Sequence, residues 1–198
     1  MTSTRTRILT AIVMPVLLFL TACGVNSIPT AEENAKAKWA DVQSQYQRRA
    51  DLIPNLVATV SAAATQERTV LREVTEARAS ATRITVTPEQ LTDPNAMRAF
   101  SEAQGRLTLS LQRLQEAYPE LHTNQNYVTL MSQLEGTENR ITVARRDYNQ
   151  AVQDYNTTIR TFPAVIGARV IYGSQPMQPF QAEEAAQHAP TVNFGNGQ

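Results

Sequence analysis

Apolar residues recur at steps of three and four through most of the chain, the spacing of a helix with one buried face. The first such stripe is Ala35, Trp39, Val42 and Tyr46. It predicts a helix from Ala31 to about Ala50, opened by Thr30 with Glu33 three residues on, the capping-box spacing. A second stripe runs Ile53, Leu56, Val57, Val60, Ala64, Val70, Leu71, Val74 and Ala81. It predicts a helix from Asp51 to about Arg83, about 45 Å long. Pro54 lies where the two meet. Inside a helix it would clash with the Ala50 carbonyl and could not donate an N–H to it, and it biases Ile53 away from the α region. In a first turn begun by Asp51 it costs nothing, because the opening N–H groups of a helix have no intrahelical partner. The economical reading is a corner at Ala50–Asp51 with the two helices antiparallel.

Ile84 to Pro94 breaks the helical pattern. Ile84-Thr85-Val86-Thr87 has strand character but no second strand-like run to pair with, so a loop is expected, with one helical turn from Thr87-Pro88-Glu89-Gln90. Asp93 as N-cap and Pro94 at the first position start a third helix. Its stripe is Met97, Phe100, Leu107, Leu111, Leu114 and Tyr118, with Gln104 in the one polar slot, and Pro119 ends it. A fourth helix starts near Thr123 or Asn124 and extends toward Phe162, about 57 Å. It carries Tyr127, Met131, Leu134, Ile141, Tyr148, Val152, Tyr155, Ile159 and Phe162 on one stripe. Glu138 and Arg145 interrupt that stripe with charge, and Gly136 points to close helix approach or a local bend. Four amphipathic helices with short connections predict an all-α fold, an antiparallel up-and-down four-helix bundle. Trp39, the only Trp, is expected as a core anchor, with ligand stacking as the alternative. The expected organisation is a signal at residues 1–22, a tether at 23–30, the bundle at 31–162 and a partly ordered C-terminal tail at 163–198.

Charge narrows the function. Lys plus Arg and Asp plus Glu number 18 each, so nothing offers an electrostatic footprint for nucleic acid. Few aromatics and abundant Ala, Gln, Glu, Arg and Leu suit helices. One cysteine excludes an internal disulfide.

The N-terminus points to export. Arg5 and Arg7 precede the uncharged apolar run Ile8 to Leu20, which is followed by Thr21, Ala22 and Cys23. The run is shorter than the ~20 apolar residues that cross a bilayer core. Leu20-Thr21-Ala22-Cys23 resembles the bacterial lipoprotein signal, the lipobox. That resemblance implies cleavage between Ala22 and Cys23, a diacylglyceryl thioether on the Cys23 sulfur and acylation, such as by palmitate, of the new amino terminus. The alternative is an unmodified cysteine in an ordinary secretory signal. Several acyl chains at ~0.8 kcal/mol per buried CH₂ make a stable anchor. The expected place is the cell envelope, facing the periplasm. Gly24, where an Asp would resemble an inner-membrane retention signal, favours the outer membrane in a Gram-negative cell; otherwise the outer face of the cytoplasmic membrane is expected.

Longer stretches carry a second resemblance. Arg48-Arg49-Ala50-Asp51-Leu52-Ile53-Pro54-Asn55-Leu56-Val57 resembles the signature of the LemA family. Val74 to Ala79, Leu134-Glu135-Gly136-Thr137-Glu138-Asn139-Arg140-Ile141 with Val143 to Arg146 and Tyr148-Asn149, then Tyr155-Asn156 and Phe162-Pro163, follow in order. Ala189-Pro190 with Val192 and Phe194 resembles the family's end. The resemblance implies a helical bundle of the LemA type displayed outside the cytoplasm. It brings no established reaction, and so no catalytic residues.

Glu138 and Arg145 lie seven apart, on one face but two turns apart, too far for a direct pair. Each then needs a partner from another helix, and Arg48, Arg49 and Asp51 are the candidates. The expected role is a structural polar network; the alternative is a ligand site or an enzyme at this cluster. His122 and His188 fall short of any zinc pattern. No phosphate-binding glycine loop and no nucleophile motif stand in the sequence, so no metal and no cofactor is expected. The function expected is a non-enzymatic, lipid-anchored envelope protein that meets an unidentified envelope protein partner and is held to the membrane through lipid on Cys23. An accessory to a membrane protease or assembly system is the nearest alternative.

Overall fold

The computed structural model describes residues 26–63 and 68–180. Four long helices make up the bundle: α1 (Ser27–Ala63), α2 (Arg68–Arg83), α3 (Pro94–Ala117) and α4 (Gln125–Thr158). Two short 3₁₀ turns, Pro88–Thr92 and Pro119–Thr123, flank α3. A short α5 (Ala164–Gly167) runs into a π-type turn at Ala168–Tyr172, and an extended strap follows to Phe180. The fold is all-α, and among the described residues there is no strand.

The start of α1 differs from expectation. The helix begins at Ser27, and Thr30 lies inside the first turn, where its hydroxyl donates to the Asn26 carbonyl at 2.8 Å instead of capping. Pro29 is tolerated there because the first N–H groups of a helix need no partner. Ile28, placed by sequence in a tether, is fully buried.

The corner at Pro54 does not exist. Helix α1 passes straight through it for 37 residues, about 55 Å. Pro54 is exposed on the outer face, and Ala50, Ile53, Leu56 and Val60 continue the buried stripe unbroken from Tyr46. The carbonyl that Pro54 leaves unpaired, that of Ala50, accepts Arg78 Nε from α2 at 2.7 Å. A buried carbonyl must find some donor, and a charged one from the neighbouring helix takes the place of the missing N–H. Asp51 caps nothing; its carboxylate accepts Gln47 Nε2 one turn back at 2.7 Å. Helix α2 instead runs antiparallel to α1, so that Arg78 meets Ala50. Ala64, expected on the stripe, lies outside the described residues.

Helix α3 opens as expected, with Asp93 accepting the Asn95 N–H at 2.8 Å and Pro94 at the first position. Helix α4 is capped by Asn124, whose side chain accepts from the Asn126 and Tyr127 N–H groups. It stops at Thr158, short of Phe162, which is 71% exposed. Pro163 explains this, since it has no N–H for the carbonyl four residues back, at Ile159, and its ring clashes there. Gly136 serves no close approach: a Cβ there would meet nothing within 4 Å.

Two buried clusters fill the bundle. The lower one joins the first half of α1 to the second half of α4, with the 84–91 loop, Met97 and Phe100, and the strap residues Met177 and Phe180. The upper one joins Ile53, Leu56 and Val60 of α1 to Leu71 and Val74, Leu107 and Leu114, and Tyr127 and Leu134. Helices α1 and α4 are therefore antiparallel, with Ile28 and Ile159 at one end.

Candidate functional site

A polar layer separates the two clusters, and Arg49 is its centre. The guanidinium is 2% exposed. Its Nη1 donates to Glu138 Oε2 of α4 at 2.9 Å and to Thr108 Oγ1 of α3 at 2.9 Å. Its Nη2 donates to the Gln104 side-chain oxygen at 2.7 Å and to the Gln104 carbonyl at 3.2 Å. Gln104 in turn donates to the Ala81 carbonyl at the end of α2 at 3.2 Å. One buried cation thus ties all four helices at one level. The Tyr46 ring lies under it, 5.0 Å from the guanidinium carbon, in cation–π range. The polar slot at Gln104 breaks the α3 stripe because it faces this charge.

The second constellation holds the strap. Helix α4 carries two Tyr-Asn pairs one heptad apart, Tyr148-Asn149 and Tyr155-Asn156. Asn156 accepts the Met177 N–H and donates to the Met177 carbonyl, each at 2.9 Å. Asn149 does the same to Phe180, at 2.8 and 3.1 Å. Tyr155 OH donates to the Gln175 carbonyl at 3.2 Å, and Tyr148 OH to the Gln178 carbonyl at 2.9 Å. Each pair therefore grips residues n and n+2 of the strap. From the other side, the Leu91 carbonyl accepts the Gln178 N–H at 2.8 Å.

The register follows from two matched spacings. Seven residues of α-helix rise about 10.5 Å. Three residues of extended chain span about 10 Å. The strap repeats Pro176-Met177 and Pro179-Phe180 with that period, and Met177 and Phe180 are the buried members. The prolines have no N–H to satisfy, so the clasp leaves no strap donor stranded at those positions. Burial pushes the Tyr148 phenol well above its ordinary value near 10, and the Tyr155 phenol is raised for the same reason. Both hydroxyls stay protonated donors across ordinary pH.

Phe180 completes an aromatic cluster. Its ring centroid lies 5.6 Å from that of Trp39, and Trp39 lies 5.3 Å from both Phe100 and Tyr148. Trp39 Nε1 donates to the Val86 carbonyl at 2.9 Å. The Arg145 guanidinium sits 4.8 Å over the Phe180 ring, outside the strap.

The family model for LemA matches residues 38–194. The chain belongs to the LemA family. The match takes in both the Arg49 layer and the Tyr-Asn clasp. The chain is also 28% identical to two magnetosome proteins, MamQ 1 and MamQ 2 of Paramagnetospirillum magneticum, over 70% of its own length. It spans 58% of the length of each.

Of the residues singled out in the LemA signature stretches, the structure brings Arg49 and Glu138 into an ion pair. Arg145 lines the same small cleft, beside Glu138 and Gln104. Arg48 and Asp51 are exposed and lie outside this layer. The cleft holds about 20 Å³, room for one water and no metabolite. Arg49 Nε is buried without a protein acceptor. A larger groove of about 390 Å³ runs on the surface between α1 and α4, lined by Asp41, Gln45, Arg140 and Val143 among others. Among the described residues no group of three or more His, Cys, Asp or Glu is placed to hold a metal ion. No described helix is long and apolar enough to cross a membrane.

Sequence reasoning missed Arg78, Asn149 and Asn156 as functional side chains. The signal for the Asn residues was present: two Tyr-Asn pairs at heptad spacing and two Pro-apolar pairs at spacing three are a matched set. Cys23 and Ala22 lie outside the described residues, as does the Ala189 to Phe194 stretch.

Proposed function

We propose that this LemA-family chain is a lipid-anchored, non-enzymatic envelope protein that acts through protein–protein contacts at the membrane surface. The observation that carries the reading is the position of Cys23, four residues before the first residue of α1. An acyl chain on Cys23 would hold one end of a rigid bundle at the bilayer. Helix α1 would then project the other end about 55 Å outward. Family membership and the magnetosome relatives support a membrane-associated protein. The compact polar layer supports a scaffold, because its charges are spent on one another and its cleft admits only a water.

Two measurements test this. Growth with an alkyne-tagged fatty acid labels the wild-type protein but not Cys23→Ala, and Cys23→Ala leaves the membrane fraction. Unlabelled wild-type protein would remove the lipid anchor from the proposal. Crosslinking of the intact envelope, with affinity purification and mass spectrometry, then enriches a specific partner that is lost in Cys23→Ala. Equal background in both strains would remove the scaffold role.

A further inference from the structure

The turn after α4 is built inside out. Its small residues, Ala164, Gly167 and Ala168, face the bundle and are buried. Its large apolar residues face outward: Phe162 is 71% exposed, Ile166 55%, Val170 78%, Ile171 63% and Tyr172 43%. Contiguous exposure of this kind marks a contact surface. Gly173, at φ +58, then turns the chain sharply away into the strap.

Three observations say what covers this face. First, it lies at the anchored end. Ile28, in the first turn of α1, shares its buried cluster with Ile159, Ala164 and Ala168. Second, the approach is short. From Cys23 to Ser27 the chain can span at most about 14 Å, so a lipidated Cys23 holds this end against the headgroups. Third, the charges of the patch segment itself are basic, and the acidic Glu32 and Glu33 of the first turns of α1 at this end are paired with Lys36. Between Asp154 and Glu183 the sequence has no acidic residue, and its charged residues there are Arg160 and Arg169. Both are exposed. Apolar side chains flanked by arginines suit an interface with anionic lipid.

We infer that Phe162, Ile166, Val170, Ile171 and Tyr172 insert into the lipid headgroup region, as a second membrane contact beside the N-terminal anchor. This rests on the anchoring proposed above and adds an orientation to it. One acyl anchor lets a bundle tumble; a second, apolar contact at the same end sets α1 and α4 upright on the bilayer. Tyr172 has the amphipathic ring of an interfacial residue.

The test uses full-length protein reconstituted in vesicles of phosphatidylethanolamine and phosphatidylglycerol whose acyl chains are partly brominated. Val170→Trp places a reporter in the patch. Val143→Trp, 16 residues before Ile159 and so about 24 Å up α4, is the control; Trp39 is a common background to both. A side chain sunk about 5–10 Å into the interface lies near the bromines. The Val170→Trp signal above background is expected to fall by about half or more at that depth, and the Val143→Trp signal to stay unchanged. Protein that floats with the vesicles while Val170→Trp keeps its emission overturns the second contact and leaves the anchor standing. Equal quenching of both reporters means a bundle lying on its side and also overturns it. Protein that does not float with the vesicles overturns the anchor and the contact together.

Discussion

The two halves of the bundle reach the same burial by different chemistry. The upper half is mainly aliphatic and built mostly from regular helix faces: Ile53, Leu56, Val60, Leu71, Val74, Leu107, Leu114 and Leu134, with Tyr118 and Tyr127 as its buried aromatics. The lower half is aromatic, with Trp39, Phe100, Tyr148 and Phe180 in mutual contact, and includes a loop and a strap that are not helical. Helices satisfy most of their own backbone, so the upper half needs a polar side chain only where that fails, as Arg78 does at the Ala50 carbonyl. An extended strap does not, so the lower half must supply polar tips. The Tyr148 and Tyr155 hydroxyls and the Asn149 and Asn156 amides are those tips. Aromatic bulk and hydrogen-bonding reach go together there because tyrosine provides both.

The largest effect expected is at the strap. Phe180→Ala empties the aromatic cluster and removes the surface under Arg145, for about 3–5 kcal/mol. Denaturant unfolding followed by fluorescence of Trp39 reads it. A single transition shifted to lower denaturant makes the strap part of the core. An unshifted transition, with the strap cleaved more readily by protease, would make the lower half complete without it.

Next is the layer between the halves. Glu138→Ala leaves Arg49 buried with only neutral acceptors, at about 2–4 kcal/mol, below the full buried-pair range because Glu138 is 45% exposed. The melting temperature falls accordingly. No change would mean that Gln104 and Thr108 suffice and that the two halves do not depend on this pair.

The Pro54 site sharpens the upper half. Arg78→Ala strands the Ala50 carbonyl and costs about 1–3 kcal/mol. In a Pro54→Ala background the helix can restore its own bond to that carbonyl, so the same change costs much less. A double-mutant cycle measures the coupling; additive effects would dissociate Arg78 from the proline.

Alkaline pH probes the clasp. Burial holds the folded Tyr148 phenol above its unfolded value near 10. The folded chain then keeps a proton that the unfolded chain releases. Stability is whole below pH about 10 and falls by about 1.4 kcal/mol per unit above it, until the folded value is reached. Tyr148→Phe flattens that slope, at the loss of one strap hydrogen bond. An unchanged slope in urea melts at about pH 10 to 11 would leave Tyr148 no part in it.

The smallest change is a gain. Gly136→Ala in α4 has open space and helical geometry, and stabilises by about 0.5–1 kcal/mol. A loss would point to a close approach at this position after all.

Much of the upper half was legible. The stripes at steps of three and four fix which faces are buried, because helix periodicity depends on neighbours three and four residues away. Asp93-Pro94 and Asn124 set two helix starts through groups within one turn. The same local logic failed at Pro54. It weighed the missing N–H correctly but could not see Arg78, 28 residues on, arriving to replace it. It singled out Glu138 as a charge on an apolar stripe and placed Arg49 among its candidate partners, yet it also chose Arg48 and Asp51, which are exposed.

By itself, then, the sequence determined the helical class and the LemA signature stretches, since each is written in short-range patterns of residue type. The tertiary structure alone decided that α1 runs through its proline, that Arg49 and not Arg48 is the buried cation, and that Asn149 and Asn156 hold the strap. Those outcomes depend on donors and acceptors brought together from distant parts of the chain. A buried polar group takes whichever partner packing delivers, and packing is a property of the whole fold.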